Sequence, residues 1–397
     1  MKQKPRSQSL IWIVGIATFT RLFINTARRF AYPFAPVLSR SLGVSLPAMT
    51  SAIAINQFTG LLGLVFAPVA DRWGYRNMMM LGLAFLTIGM FIGGTFPFYI
   101  TVLIALFLSG LGKTAFDPAL QAYIGQRVPY RRRGLTIGII EMSWAGSSLI
   151  GIPVIGMIID RYGWRAPFFV LSVLGLLSFF ILWFQIPKDN HEEHILREKY
   201  NFFSSIRLLF QKKEAVGAIG FSFLLSIAND NFFVVYGAWL EQTFGLGVLA
   251  LGATTMIIGA AELTGEMITA FLADRIGLFR VIVAGAALTT ASYLALCMLG
   301  KTLPFALGTL FFLFVAVECS IVTTISLCTE ILPTARATMM SGLLASSSMG
   351  RVLGAFLGGP VWLRGGIEGV TIVSTCISGL ALVFFILCFS GRRPVGH

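Results

Sequence analysis

Ala70-Asp71-Arg72-Trp73-Gly74 closes one long apolar run, and Ala273-Asp274-Arg275-Ile276-Gly277 closes another, the two aspartates standing 203 positions apart. The same charged pair and glycine thus follow the second apolar run of each half of the chain. A second match supports the period: Pro129 and Pro333 punctuate the loops after the fourth and tenth runs, at an offset of 204. A repeat of about half the sequence, with an even number of helices per copy, returns the chain to the side it started from. The copies are therefore read as parallel, related by an axis along a membrane normal.

That the runs lie in a membrane follows from composition. Of 397 residues, 56% are hydrophobic and 12% charged, with a mean hydropathy of +0.83. A soluble domain carries about 25% charged residues, so the polar shell is missing here and apolar surface must face lipid. A crossing helix takes about 20 residues. Apolar runs of helical length lie at 10–35, 46–69, 77–95, 98–124, 134–158 and 166–186, and again at 214–240, 248–272, 280–299, 303–328, 337–361 and 368–390. The predicted fold is an all-α membrane protein with twelve transmembrane helices in two parallel-repeated six-helix bundles, 1–186 and 214–397. Between them, 187–213 carries Asp189, Glu192, Glu193, Arg197, Glu198, Lys199, Lys212 and Lys213 and reads as a cytoplasmic linker.

The formal charge of +13 does not point to nucleic acid, because most basic residues stand in short loops between apolar runs rather than on one water-exposed face. With the N-terminus inside, 20 Lys and Arg fall on the inner side and 5 on the outer, Arg40, Arg161, Arg165, Lys301 and Arg364. That bias puts both termini in the cytoplasm and the protein in the cell (inner) membrane. The first run holds Arg21 and lacks a small-residue cleavage pattern, so it reads as a first crossing helix and not a removed signal peptide. Cys297, Cys319, Cys328, Cys376 and Cys388 all lie inside apolar runs, an odd number that argues against a disulfide framework. Gly112-Lys113-Thr114 imitates a phosphate-binding loop, but Phe107 stands where its first glycine belongs. His191-Glu192-Glu193-His194 has the wrong spacing for a zinc helix. No nucleophile, base and orienting group form a constellation, so no enzyme, no cofactor and no metal are expected. A monomer is the expected form.

Ala67 to Arg76 resembles the inner-loop signature of the major facilitator superfamily, roughly G-x-L-a-D-R-x-G-R-R. Asp71, Arg72, Gly74 and Arg76 fit it, with Ala67 in place of the leading glycine and Tyr75 in place of one basic residue; the second copy keeps Asp274, Arg275 and Gly277. Helix five, with Gly138, Gly146 and Gly151-Ile152-Pro153-Val154-Ile155-Gly156, is similar to the glycine and proline motif of the drug:proton antiporter branch. Ile152 interrupts the Gly-Pro pair, Met157 replaces a terminal glycine, and Leu106 and Phe107 stand where that branch has an arginine. Asp71, Arg72, Asp274 and Arg275 are candidates for a conformational latch, since charge-assisted links at helix ends can break and reform as halves rock. The alternative is a plain loop that sets topology.

A charge in hydrocarbon costs about 2.5 to 3.5 kcal/mol on insertion scales, so each is a candidate for function. In helix one, Arg21, Asn25 and Arg28 share a face, with Arg29 beside it; Arg28 and Arg29 are expected to snorkel toward the surface, leaving Arg21 deeper. In helix four, Lys113 and Asp117 stand one turn apart and Gln121 extends their face. Either Lys113 and Asp117 neutralise each other, and Glu141 in helix five is met by the basic loop 127–133, or one partner is displaced by substrate or a proton. The second half holds Asp230, Glu262, Glu266 and Glu318, opposed by Arg351. Paired carboxylates in a desolvated place are what proton coupling needs, and that set is the candidate for it. The resemblance implies that helices one, four, seven and ten line a central cavity. It would gather Arg21, Asn25, Lys113, Asp117, Asp230, Tyr236 and Glu318 as substrate-binding residues, with Phe116, Phe232, Phe233 and Trp239 as apolar wall. The function expected is a secondary transporter moving a small amphiphilic organic solute by alternating access, as proton-coupled efflux. Alternatives are uptake or flipping of an organic anion or lipid-like acid, or a non-transporting sensor on the same fold.

Overall fold

In the computed structural model, which describes residues 7–128, 136, 138–186, 209–332 and 336–390, six described residues have positive φ. All six are glycines, and they form three pairs: Gly43 with Gly245, Gly74 with Gly277, and Gly163 with Gly366. The offsets within the pairs are 202, 203 and 203 residues. The repeat is therefore written in the backbone as well as in the sequence. Gly74, at φ 93°, donates its N–H to the Ala70 carbonyl at 3.0 Å, and Gly277, at φ 97°, does the same to Ala273 at 2.9 Å. A side chain is disfavoured in that conformation, which is the physical reason the charged signature ends in glycine.

Every regular element among the described residues is helical. The first half contains α1 Ser7–Arg29, α2 Ala35–Leu42, α3 Leu46–Phe58, α4 Gly63–Trp73, α5 Tyr75–Thr95, α6 Tyr99–Arg127, α7 Gly138–Tyr162 and α8 Ala166–Gln185. The second contains α9 Lys213–Phe233, α10 Tyr236–Phe244, α11 Val248–Ile276, α12 Leu278–Leu299, α13 Leu303–Ile331 and α14 Arg336–Phe389. Nine segments among the described residues are long and apolar enough to cross a membrane, α9 and α10 counting as one. The last, α14, has 54 residues and breaks at Gly366 (φ 55°, ψ −150°), so it makes two crossings. With the interrupted pairs α1–α2 and α3–α4, the chain has the twelve crossings of the predicted fold.

The first crossing differs from the single run 10–35. It is two helices joined by a turn over 30–34, and the second continues to Leu42. Pro33 and Pro36 lack the N–H that would carry an unbroken helix through this region, and Gly43 (φ 65°) caps the second piece. The seventh crossing repeats the break at Val234 and Val235, where no proline or glycine announces it. The second crossing carries a 3-10 turn at Thr59–Leu62. Most of the linker 187–213 lies outside the described residues.

The chain divides into two compact units. One comprises Met1–Ser45, Leu62–Arg197 and Gly247–Gly259; the other comprises Leu46–Leu61, Glu198–Leu246 and Ala260–His397. In the first, α5 and α6 approach through Gly82 and Gly112, where an added Cβ on either would lie 2.6 Å from the other's carbonyl oxygen. The same α5 is fastened to α8 at both ends. Arg76, at the start of α5, donates Nη2 to the Trp183 carbonyl at 2.6 Å, in the last turn of α8. Arg165, just before α8, donates Nε to the Gly94 carbonyl at 2.8 Å and Nη2 to that of Thr95 at 2.7 Å, at the end of α5. Each antiparallel helix thus supplies donors to the carbonyls its partner's last turn leaves without a partner. Of the glycines singled out in helix five, Gly151 packs against Thr26 of α1 and Gly156 against Gly252 of α11, with an added Cβ only 3.3 Å from the Gly252 Cα. Gly138 has open space around it.

In the second unit, Gly350, Gly354 and Gly358 line one face of α14 at intervals of four. An added Cβ at Gly354 would lie 2.5 Å from the Ile227 carbonyl of α9, and one at Gly358 would lie 2.6 Å from that of Asn231. Small residues at helical spacing let backbones meet where lipid gives no hydrophobic drive for helix association. In the same unit, Phe221, Phe385 and Phe389 belong to a buried hydrophobic core, with the Phe385 and Phe389 centroids 4.5 Å apart and exposed Phe279 stacked on Phe385.

Candidate functional site

The polar face of α1 meets the polar face of α6. Arg21 donates Nε to Asp117 Oδ1 at 3.1 Å and Nη2 to Oδ2 at 3.3 Å, the forked geometry that suits a guanidinium and a carboxylate. Lys113, one turn before Asp117, donates Nζ to Oδ2 at 2.6 Å and also to Asn25 Oδ1. Asn25 passes the network on, its Nδ2 donating to Ser143 Oγ on α7 at 3.2 Å. Arg21 Nη1 lies 2.7 Å from Glu141 Oε1, and Gln121 Nε2 donates to the same oxygen at 3.1 Å. One connected cluster therefore joins α1, α6 and α7. Its cations lie deeper than its acids: the side chains of Arg21 and Lys113 are 6% and 10% exposed, against 16% for Asp117 and 39% for Glu141.

Glu141 is met by Arg21 and Gln121; of the basic loop 127–133 that the sequence also offered as its partner, residues 129–133 lie outside the described structure, as does the Arg127 side chain. One expectation is corrected here. Arg28 and Arg29 do not snorkel: they are 9% and 3% exposed. Arg29 turns inward, its guanidinium 4.2 Å from the Trp144 ring centroid and its Nη1 donating to the Trp144 carbonyl at 3.2 Å. That carbonyl precedes a π-helical stretch, Ser147–Gly151, and it also accepts from Ser147 Oγ at 2.6 Å. Widened turns of this kind leave carbonyls for side-chain donors and recur at functional sites. Trp144 also carries Lys113 Nζ 5.3 Å from its ring centroid. Sequence reasoning missed Ser143 and Trp144; the one available signal was their position two and three residues after Glu141.

The remaining candidates lie in the second unit. Asp230 is 2% exposed on α9, and its neighbour Asn231 donates to Ser374 Oγ at 3.0 Å and to the Val370 carbonyl at 3.2 Å on α14. Tyr236 is fully buried and stacks on Phe233 at 5.1 Å, which in turn meets Phe314 at 5.4 Å. Phe232, Trp239 and Tyr293 form an adjoining buried cluster. Glu262, 4% exposed, and half-buried Glu266 flank Gly265 on α11. There α13 comes close enough that an added Cβ on Gly265 would lie 2.8 Å from Glu318 Cβ. Among the described residues Arg351 makes no ion pair with these acids. Of the latch candidates, the side chains of Asp71, Arg72 and Asp274 lie outside the described residues, and Arg275 is exposed in the last turn of α11. No group of three or more His, Cys, Asp or Glu among the described residues could hold a metal.

A family model described as the Major Facilitator Superfamily matches residues 16–261 and again 218–397. The chain belongs to the major facilitator superfamily. It is thereby an integral membrane protein and a secondary transporter. Among curated relatives of this superfamily, it is 26% identical over 291 residues to the uncharacterized MFS-type transporter YceJ of Bacillus subtilis, covering 72% of this chain and 71% of that one. It is 23% identical over 408 residues to the multidrug resistance protein MdtG of Proteus mirabilis, covering 98% of each. Among solved structures, a bacterial homolog of the human lysosomal transporter Spinster, in an inward-facing and unoccupied conformation, matches with a TM-score of 0.80. That match has 16% identity and covers 98% of this chain and all of that one.

Proposed function

We propose that this transporter exports a small amphiphilic organic solute from the cytoplasm in exchange for protons, by alternating access, as a monomer in the cell (inner) membrane with both termini inside. The observation that carries the reading is the cluster of Arg21, Asn25, Lys113 and Asp117 buried between α1 and α6. Ionised groups inside a membrane span are costly and are retained where they bind or relay charge. Arg21, Asn25, Lys113, Asp117, Asp230, Tyr236 and Glu318 are the residues assigned to solute, and Asp71, Arg72, Asp274 and Arg275 to the latch between states. Proton coupling is assigned to Asp230, Glu262, Glu266 and Glu318. The similarity along the full chain to a multidrug resistance protein supports an amphiphilic cargo and the outward direction.

The test is transport in sealed vesicles with an imposed pH gradient, comparing the wild type with Asp230→Asn, Glu262→Gln, Glu266→Gln and Glu318→Gln. At least one variant should lose gradient-driven transport while retaining solute binding. Unchanged transport in all four would remove the proton assignment.

A further inference from the structure

We infer that the solute carries a carboxylate, and that Lys113 and Arg21 take hold of it in competition with Asp117. This deepens the transporter reading above and rests on it. The cluster already shows how a carboxylate sits there: Arg21 offers two parallel N–H groups and Lys113 a third donor, all aimed at Asp117. An incoming carboxylate needs no new kind of contact, only a share of donors that one acid now holds. Lys113 has such a donor. Its ammonium carries three N–H groups, of which Asn25 Oδ1 and Asp117 Oδ2 accept two, while the side chain is only 10% exposed.

The burial of the charges agrees. Arg21 and Lys113 are less exposed than Asp117 and Glu141, so the donors an anion would claim are the groups of the cluster most withdrawn from water. Among the described side chains of α1, α6 and α7, the charged ones that are buried or half-buried are Arg21, Arg28, Arg29 and Lys113 against Asp117 and Glu141. Half-buried Trp144 supplies a flat apolar wall beside Lys113, and two cations already lie near its ring, which disfavours a third cation as cargo. A carboxylate with a hydrophobic body fits both features.

The experiment uses three compounds with one skeleton: 4-phenylbutyrate, 4-phenylbutan-1-ol and 4-phenylbutylammonium. Each is added at equal concentration to the full chain purified in detergent, and thermal unfolding is followed. Binding to the native state alone raises the midpoint, by about 2 °C or more once ligand exceeds its Kd severalfold. The acid alone should do so. Its effect should grow in Asp117→Asn, which removes the internal competitor, and vanish in Lys113→Gln. Should Asp117→Asn fail to fold, Glu141→Gln gives the same reading: it frees Arg21 Nη1 at the more exposed acid and should also enlarge the acid's effect. A midpoint rise with the amine or alcohol equal to the acid's, no rise with any of the three, or a wild-type response in Lys113→Gln would overturn the inference. Uptake of the same compounds into sealed vesicles separates the two readings. Uptake of the amine overturns the carboxylate site and leaves transport standing, whereas acid binding without uptake supports the site and counts against transport.

Discussion

Arg21 and Asp117 stand 96 positions apart in the chain and form a forked ion pair, Nε to Oδ1 at 3.1 Å and Nη2 to Oδ2 at 3.3 Å, that ties α1 to α6. Removing one partner leaves the other with one ion pair where it had two, Arg21 with Glu141 or Asp117 with Lys113. Losing a hydrogen bond to a charged group costs about 1.5 to 3 kcal/mol. Arg21→Gln and Asp117→Asn should each lower thermal stability strongly, and the double variant should lose clearly less than the sum of the two. A double-mutant cycle on unfolding in detergent reads this coupling, and strict additivity would show that the pair does not interact in solution.

The arginines that fasten α5 to α8 make a contrasting prediction. Arg76 serves the end of α8 and Arg165 the end of α5, at opposite ends of a helix about 30 Å long. Each glutamine substitution should cost about 1 to 3 kcal/mol, the range for hydrogen bonds from a charged donor. Here the two costs should add, because the sites share no partner. Lysine at 165 should restore only part of the loss, since one ammonium cannot reproduce the two N–H vectors that reach Gly94 and Thr95.

The glycine seam of α14 can be probed at a single atom's resolution. Gly354→Ala puts a methyl group 2.5 Å from the Ile227 carbonyl and 2.9 Å from the Asn231 nitrogen. It should force α9 and α14 apart and destabilise by about 1 to 3 kcal/mol, the usual cost of overpacking. Gly365→Ala on the same helix meets open space. It should be neutral or stabilising by up to about 1 kcal/mol, from helix propensity alone. Equal effects at the two positions, measured by thermal unfolding, would remove the seam as the cause.

Much of this architecture was legible in the amino-acid order. Asp71 and Asp274 with their following glycines announced the repeat, and the paired left-handed turns at Gly74 and Gly277 show why glycine stands there. The turn after Arg29 could be sensed from Pro33 and Pro36, whereas its counterpart at Val234 and Val235 could not, because nothing in those two residues breaks a helix. Within the site, the one-turn spacing of Lys113 and Asp117 made their contact readable. Long-range choices were not readable: Arg21 had several acids to choose from, and its reach to both Asp117 and Glu141 depends on how α6 and α7 pack on α1. Arg28 and Arg29 looked near enough to the surface to snorkel. Trp144, just before the π-helical stretch of α7, presents its carbonyl and indole to Arg29 instead, and the stretch itself, Ser147 to Gly151, carries no mark of a widened turn.

Arg29 and Trp144 supply a further test. The guanidinium lies over the ring at 4.2 Å and also donates to that residue's carbonyl. Trp144→Leu keeps the carbonyl and removes the π face. It should cost about 0.5 to 2 kcal/mol for a desolvated cation–π contact, and it should weaken solute binding in the same protein. Trp144→Phe should recover most of both. Full stability with full binding in Trp144→Leu would assign the ring to packing alone.

The measurement that bears most directly on the central claim is solute movement in sealed vesicles energised by a pH gradient, for the wild type, Arg21→Gln and Asp117→Asn. All three proteins are matched for folded amount by their unfolding transitions. The wild type should move at least one of the three phenylbutyl compounds only when the gradient is present. Arg21→Gln and Asp117→Asn should each reduce that rate by tenfold or more, the consequence of about 1.4 kcal/mol or more lost from the step that uses the pair. Wild-type rates in both folded variants would contradict the account, because the buried cluster on α1 and α6 would then hold helices together without handling solute.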